Sequence, residues 1–183
     1  MAATLTGQEL PDLLRTAAVP VWMPWPLPAG WLVSGFAAPA GGGPGGAAAG
    51  AGACVSTPGC VVALSGPNPF GGPGEMLIIS EEAGLGLGAS FAGLPGLDPG
   101  SGFTACQPHA FVRYSNRQFP LWHVDAPHRA VYAGAVLGHW LWLVLFPDTA
   151  GLLLAEPLAL RDLRDPGQEL DLPYGERSAL LPD

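Results

Sequence analysis

The sequence contains no lysine: its seven cationic side chains are all arginines, against 15 Asp and Glu, so the 183 residues carry a net charge of −8. This absence excludes phosphate binding by a P-loop, protein-kinase phosphoryl transfer, and Schiff-base or pyridoxal chemistry, because each needs a lysine amine. Charged residues make up only 12% of the chain, whereas 49% of it is hydrophobic. That content predicts a folded domain with a hydrophobic core.

Cysteines are few, and basic residues are not clustered. Cys54, Cys60 and Cys106 do not have the spacing of zinc ligands. An odd cysteine count without a secretory signal argues against a disulfide between Cys54 and Cys60. The arginines are interleaved with acids, and the net negative charge repels polyanions. We therefore expect a cytoplasmic protein with reduced thiols, no metal, no cofactor and no nucleic-acid partner.

Residues 130–146 form an uncharged apolar stretch at the lower limit of membrane-spanning length. Gly134 and Gly138 interrupt it, and apolar residues resume at 151–154, after a turn-like segment at 147–151. Two strands joined across that segment explain these residues better than a membrane helix does. We therefore expect no membrane contact.

The remaining pattern predicts one helix and many short strands. Leucines and alanines at spacings of three and four predict a helix over 8–18, and the proline-rich segment 20–31 is typical of an extended or polyproline II path. Strand-like runs occupy 31–36, 60–65, 75–80, 109–114, 119–124, 129–136, 139–146, 151–154 and 158–163. Together they predict an α+β fold, a mainly antiparallel β-sheet with one N-terminal helix and few short helical turns.

A single globular domain over 1–183 is expected from the length. Within it, residues 41–53 are almost entirely Gly and Ala and predict a flexible insertion. Residues 165–183 are acidic and broken by Pro and Gly, so we expect an irregular C-terminal segment.

Histidines and one carboxylate near residue 125 are the candidate catalytic groups. His123 and Asp125 project to one side if 119–124 is a strand, and a general base is then conceivable. With His128, and with His109 as a fourth ligand, they could instead bind a metal. Three ligands from one loop are not a typical zinc site, so we expect none.

One further motif matches only weakly, and another is missing. Residues 84–89 match G-x-G-x-x-A, but Glu81 and Glu82 precede them where a pyrophosphate would lie, so a packing role is expected. The nucleophile motif G-x-S-x-G is missing from the sequence.

Three tryptophans accompany the prolines of residues 20–31. Trp22, Trp25 and Trp31 could form an aromatic binding surface or a ligand for a proline-recognising partner. The alternative is that the sheet buries them, because large aromatic side chains dominate hydrophobic cores.

Five segments carry a family resemblance: VPVWMPWPLPAGW at 19–31, GEMLIISEE at 74–82, GLGA at 86–89, PLWHV at 120–124 and GHWLW at 138–142. Over about residues 10–165 the chain resembles an uncharacterised family of actinobacterial cytosolic proteins. The resemblance implies relatedness but no activity. It also implies an N-terminal zinc ribbon in longer members, which we expect to be absent here. The motifs that match include His123 but not His128.

These patterns favour a soluble cytosolic module without catalysis, which binds a protein partner or itself through Trp22, Trp25 and Trp31. The alternative is a small hydrolase or acyl transferase that uses His123 with Asp125 or His109. A cavity that collects His123 and a second polar group would favour the enzyme.

Overall fold

The computed structural model describes residues 9–39, 56–167 and 171–182, which form one nine-stranded sheet with short helices. The strands are β1 (Trp22–Pro24), β2 (Leu32–Ala37), β3 (Gly59–Pro67), β4 (Pro73–Glu81), β5 (Ala110–Tyr114), β6 (Arg117–Val124), β7 (Ala130–Val136), β8 (His139–Phe146) and β9 (Leu158–Asp162). Helix α1 spans Glu9–Thr16, α2 spans Leu87–Ala92, and a 3₁₀ helix spans Asp148–Leu154. The predicted insertion at 41–53 lies outside the described residues.

The sheet is curled and mixed, with the strand order β1-β9-β5-β6-β7-β8-β4-β3-β2. Its neighbours pair antiparallel, apart from the short parallel pair of β5 and β9. This arrangement confirms the predicted α+β class with a mainly antiparallel sheet. The helix predicted over 8–18 is α1, and the runs at 60–65 and 75–80 pair as neighbours in β3 and β4.

One predicted strand is wrong. Residues 151–154 belong to the 3₁₀ helix, because Pro147 supplies no N–H and the carboxylate of Asp148 accepts the N–H of Thr149 at 2.8 Å. The hairpin predicted across 147–151 is therefore wrong as well. The apolar stretch 130–146 instead forms its own hairpin of β7 and β8, which turns at Leu137 and Gly138. Within the described residues, no helix is long and apolar enough to cross a membrane.

Strand β8 is apolar on both faces because it lies between two hydrophobic clusters. Leu141, Leu143 and Leu145 pack inside the curl with the larger cluster, which also includes residues of α1. Trp142 and Val144 face the opposite side and join the cluster that includes residues of α2. A continuous apolar run is expected of a strand covered on both sides.

A buried carboxylate joins the N-terminal segment to β9. Asp162 is 4% exposed, and its Oδ1 accepts a hydrogen bond of 3.0 Å from the backbone N–H of Val21. The guanidinium of Arg164 donates to the same carboxylate at 2.8 Å and to the carbonyl of Ala17 at 3.4 Å. Because a buried carboxylate is costly unless it is paired, these bonds hold residues 17–21 beside β9 and support the pairing of β1 with it.

The C-terminal strap, residues 171–182, covers part of the outer edge of β2. Val33 exchanges two backbone hydrogen bonds of 2.8 Å with the strap, accepting one of them from the N–H of Gly175. The hydroxyl of Ser178 donates to the carboxylate of Glu75 at 2.5 Å. Backbone groups of β2 that face away from β3 thus find partners within the chain.

Glu81 ends β4 with its side chain buried against the start of α2. Its carboxylate accepts the backbone N–H of Leu87 at 2.6 Å and that of Gly88 at 3.1 Å. The amides at the start of the helix, where a phosphate could bind, are therefore already occupied. The glycines of 84–89 serve packing, since the ring of Trp142 leaves no room for a Cβ on Gly88.

We predict that Glu81→Ala lowers the free energy of unfolding by about 2–4 kcal/mol, because two amides lose their acceptor and a cavity opens. Chemical denaturation followed by tryptophan fluorescence measures this loss. The matched control is Glu82→Ala, which removes an exposed carboxylate and should change the same free energy by less than about 0.5 kcal/mol. Equal losses in both variants would contradict the role given to Glu81.

Burial also makes the contribution of Glu81 to the free energy of unfolding depend on pH. Desolvation outweighs the hydrogen bonds from the backbone and raises the pKa of Glu81 above its ordinary value of 4.5. The folded protein thus keeps a proton that the unfolded chain has released, so the contribution is greatest below pH 4.5 and falls as pH rises through the folded-state pKa. We expect Glu81→Ala to lower the free energy of unfolding by more near pH 4 than near pH 7. Denaturation curves at the two pH values measure both losses, and a larger loss near pH 7 would refute this prediction.

Candidate functional site

His123 lies on β6 opposite Tyr132 of β7, and its ring meets two other rings. The ring centroid of His123 is 5.5 Å from that of Tyr132 and 6.1 Å from that of His109, both in edge-on geometry. The backbone N–H of His123 donates to Nδ1 of His109 at 3.2 Å. Since Nδ1 accepts this bond, the neutral imidazole of His109 carries its proton on Nε2. We call His109, His123 and Tyr132 the ring cluster.

Asp125 is not part of the ring cluster. Strand β6 ends at Val124, and Asp125 is exposed in the segment that follows. Within the described residues, no ion pair or hydrogen bond joins Asp125 to either His109 or His123. The structure thus brings the two histidines together without the carboxylate, and the catalytic role of His123 and Asp125 stays a prediction.

A cavity of about 380 Å³, which we call the groove, opens between β7 and the 3₁₀ helix. His109 and Tyr132 of the ring cluster line it, together with Phe70, Asp148 and other residues, whereas His123 lies outside the lining. The hydroxyl of Thr149, also in the lining, accepts a hydrogen bond of 2.8 Å from the side-chain amide of Asn68. The polar residues that line the cavity therefore include His109 but not His123.

Among the described residues, the groove is lined by neither a thiol nor a group of metal ligands. Cys60 is a free thiol in the core that donates to the carbonyl of Pro20 at 3.4 Å, and burial raises its pKa to about 12. Such a thiol is unreactive at neutral pH. Cys106 is free and exposed. In the parts of the chain that the structure describes, no three His, Cys, Asp or Glu side chains are grouped to hold a metal ion.

The tryptophans of the proline-rich segment have different environments. Trp22 is buried and packs edge-on against Tyr114, with ring centroids 4.8 Å apart. Trp31 is buried against Gly66, where no space remains for a Cβ. Trp25, in contrast, is 36% exposed. Of the three candidate binding residues, Trp25 is therefore the one available to a partner.

One arginine packs against Trp25, and a second lies on the same side of the sheet. Cζ of Arg161 lies 5.0 Å from the centroid of the Trp25 ring, in cation–π geometry. Arg161 lies two residues beyond Ala159 on β9, and Ala159 is the register partner of Arg113 on β5. Because alternate residues of a strand share a face, Arg161 and Arg113 lie on the same side of the sheet.

A third arginine lies at the end of the β5–β6 hairpin. Arg117 shares a cavity of about 460 Å³ with Arg113, lined by the β5–β6 hairpin together with Ala159 and Leu160 of β9. In the hairpin register Arg117 is opposite Tyr114 of β5, so its side chain leaves the sheet on the other side from that of Arg113. There Cζ of Arg117 lies 5.1 Å from the ring centroid of Phe119. We call Trp25, Arg113 and Arg161 the arginine face.

Among the described residues, Arg113, Arg117 and Arg161 differ from the other four arginines in having no polar partner. Arg15 and Arg164 each pair with a carboxylate at 2.8 Å. Arg129 and Arg177 each donate to a backbone carbonyl at 2.8 Å. Within the described residues, the guanidinium groups of Arg113, Arg117 and Arg161 have neither an ion pair nor a hydrogen bond.

Tyr114, which lines the same cavity as Arg113, is paired with an acid. Asp165 accepts the hydroxyl of Tyr114 at 2.9 Å, and this bond raises the pKa of Tyr114. Because they have no ion pair or hydrogen bond within the described residues, the donors of Arg113 and Arg161 are available to an external carboxylate or phosphate, which guanidinium groups bind well.

Sequence reasoning missed this face for a definite reason. Arg113 and Arg161 were treated as charges interleaved with acids, and their common position depends on the parallel pairing of β5 with β9. The available signal was their place in the predicted strands 109–114 and 158–163, where each alternates with apolar residues and so lies on the exposed side.

The comparisons with known proteins point to one family. A family model described as a family of unknown function (DUF6758) matches residues 2–181. No curated protein and no solved structure matches the chain.

We predict that His109 is found as the Nε2–H tautomer in mildly alkaline solution, where imidazoles are neutral. Long-range ¹H–¹⁵N NMR correlations distinguish the two tautomers. His139, which has no such bond from a neighbouring backbone amide within the described residues, is the internal comparison. Observation of the Nδ1–H tautomer at His109 would contradict its hydrogen bond from His123.

Proposed function

The chain belongs to the DUF6758 family, and we propose that it is a protein-binding module whose arginine face docks an acidic segment of a partner. The observation that carries the proposal is the pair of guanidinium groups of Arg113 and Arg161, which lie on one side of the sheet and have no polar partner within the described residues, with the partly exposed Trp25 against Arg161. Trp and Arg are the residue types that most often dominate the binding energy of protein interfaces.

Charge supports a short acidic segment as the ligand. The protein has a net charge of −8, so a long polyanion such as nucleic acid is repelled by the molecule as a whole. The arginine face is a local exception to this field. A peptide with a few carboxylates gains bidentate contacts at the face without bringing a large charge near the remaining surface.

The face is held in place before a partner arrives. The backbone N–H of Trp25 donates to the carbonyl of Ala159 at 2.9 Å, which continues the pairing of β1 with β9. The ring of Trp25 lies against the guanidinium group of Arg161. Side chains ordered in this way lose less conformational entropy on binding than free ones.

The alternative function, a small hydrolase or acyl transferase using His123 with Asp125 or His109, has less support. Such an enzyme needs a nucleophile and a base within hydrogen-bond reach. His123 contacts aromatic rings, and Asp125 lies apart from it. We also infer a cytoplasmic location in an actinobacterium, for which the free thiol of Cys60 and the lysine-free composition are the support.

We predict that Asp/Glu-rich peptides bind the protein and that matched Asn/Gln-rich peptides do not, as measured by isothermal titration calorimetry. Arg161→Ala and Arg113→Ala should each weaken binding by about tenfold or more. Arg15→Ala, which removes an exposed arginine from α1, is the control and should leave the affinity unchanged. Equal binding of both peptide types, or equal loss in all three variants, would reject the arginine face as the docking surface.

Self-association is the second form of this proposal, with a second copy supplying the acidic segment. Size-exclusion chromatography with light scattering distinguishes the two forms. A dimer that becomes a monomer in Arg161→Ala identifies a second copy as the partner. If the unchanged protein and Arg161→Ala are both monomers and the unchanged protein binds the acidic peptide, the partner is a different protein.

A further inference from the structure

We propose that the groove binds a small organic cation, a quaternary ammonium ion of the choline type. This proposal rests on the groove alone and is independent of the arginine face. The groove has a volume of about 380 Å³, which is within the range of small-molecule sites.

Aromatic rings provide the main surface for such a cation. Phe70, Tyr132 and His109 all line the groove. Phe70 is 71% exposed, the largest exposure of a large hydrophobic side chain among the described residues. Leaving such a ring in water forgoes the free energy of burial. Aromatic faces attract alkylated ammonium groups, and cages of such rings are a known means of binding them.

A single carboxylate gives the groove its charge. Asp148 is the one charged residue of the lining in the part of the chain that the structure describes. Its Oδ1 accepts the N–H of Thr149 at 2.8 Å, and among the described residues its other oxygen accepts no such bond. His109 is neutral when its Nδ1 accepts the bond from His123, so it does not oppose a cation. The net charge of −8 adds to the attraction.

Hydrogen bonds and close packing behind the lining residues hold the groove in shape. Asn68 is buried, and its amide donates to the hydroxyl of Thr149 while its carbonyl oxygen accepts the N–H of Phe70 at 3.3 Å. A Cβ on Gly151 would come within 3.2 Å of the Tyr132 hydroxyl. The loop carrying Phe70 and the 3₁₀ helix are thus tied together across the cavity.

The Tyr132 hydroxyl is the remaining polar group of the wall. Burial raises its pKa, so it stays a neutral phenol. It has no hydrogen-bond partner within the described residues, and it is therefore available to a polar group on the ligand, such as the hydroxyl of choline.

Other ligand classes fit the groove less well. An anion would face Asp148 without any cationic side chain in the lining. A metal ion would find one carboxylate and one imidazole, fewer protein ligands than the usual three or four. An uncharged apolar molecule would gain nothing from Asp148 and would cover part of its hydration shell.

The test is an NMR titration of the protein with choline and, separately, with its uncharged isostere in which carbon replaces the nitrogen. We expect saturable shifts of residues lining the groove with choline and at least several-fold weaker binding of the isostere. Equal binding of the two compounds, or shifts outside the groove, would overturn the proposal.

Variants make the test specific to the cation. Phe70→Ala should weaken choline binding by about 2- to 30-fold, and Asp148→Asn should also weaken it. Asp98→Asn is the matched control, because Asp98 likewise accepts a backbone N–H at 2.8 Å but lies on a different loop. Loss of binding in Asp98→Asn, or none in Phe70→Ala, would overturn the assignment. Much tighter binding of a trimethyllysine peptide than of choline would also overturn it in favour of a peptide ligand.

Discussion

The carboxylate of Asp162 is the contact on which one end of the sheet depends. Strand β9 joins β5 through only two register pairs, and β1 joins β9 through three. Ladders this short contribute little by themselves. Asp162 supplements them by binding the backbone of Val21 and the guanidinium of Arg164, so that the segment before β1 and the segment after β9 share one buried anchor.

The arginine face depends on this buried contact of Asp162. Trp25 follows β1, Arg113 belongs to β5 and Arg161 belongs to β9, so the face exists only while the three strands are in register. A buried ion pair of this kind adds little to stability compared with apolar packing, and its clearer role is to select one arrangement of the chain. We regard this as the structural basis of the proposed binding function.

Short sequence patterns predicted the central strands of the sheet well, but they did not predict which distant residues are in contact. The apolar run 139–146 and the β-rich runs 60–65 and 75–80 became β8, β3 and β4, because both of their faces are buried and strand propensity agrees with packing. The leucines at 152–154 were misread as a strand. A run that short fits several structures, and Pro147 and Asp148 decide in favour of a 3₁₀ turn.

The candidate sites depended on contacts between distant parts of the chain. Asn68 bonds Thr149 across 81 positions of sequence, and Tyr132 meets His123 through the register of β6 and β7. The sequence singled out tryptophans by residue type, but Trp22 and Trp31 complete the core and only Trp25 lies partly exposed. Alternation along a strand indicates which face a residue occupies, whereas the identity of the neighbouring strand is decided by long-range pairing.

The C-terminal strap has a further consequence for the protein's behaviour in concentrated solution. A β-strand with unsatisfied backbone groups at the rim of a sheet is a template on which strands of other molecules can add. By occupying Val33 on that rim, the strap acts as a built-in cap against such growth. A chain shortened before residue 171 would leave the rim of β2 uncovered and would tend towards open-ended polymerisation through the backbone.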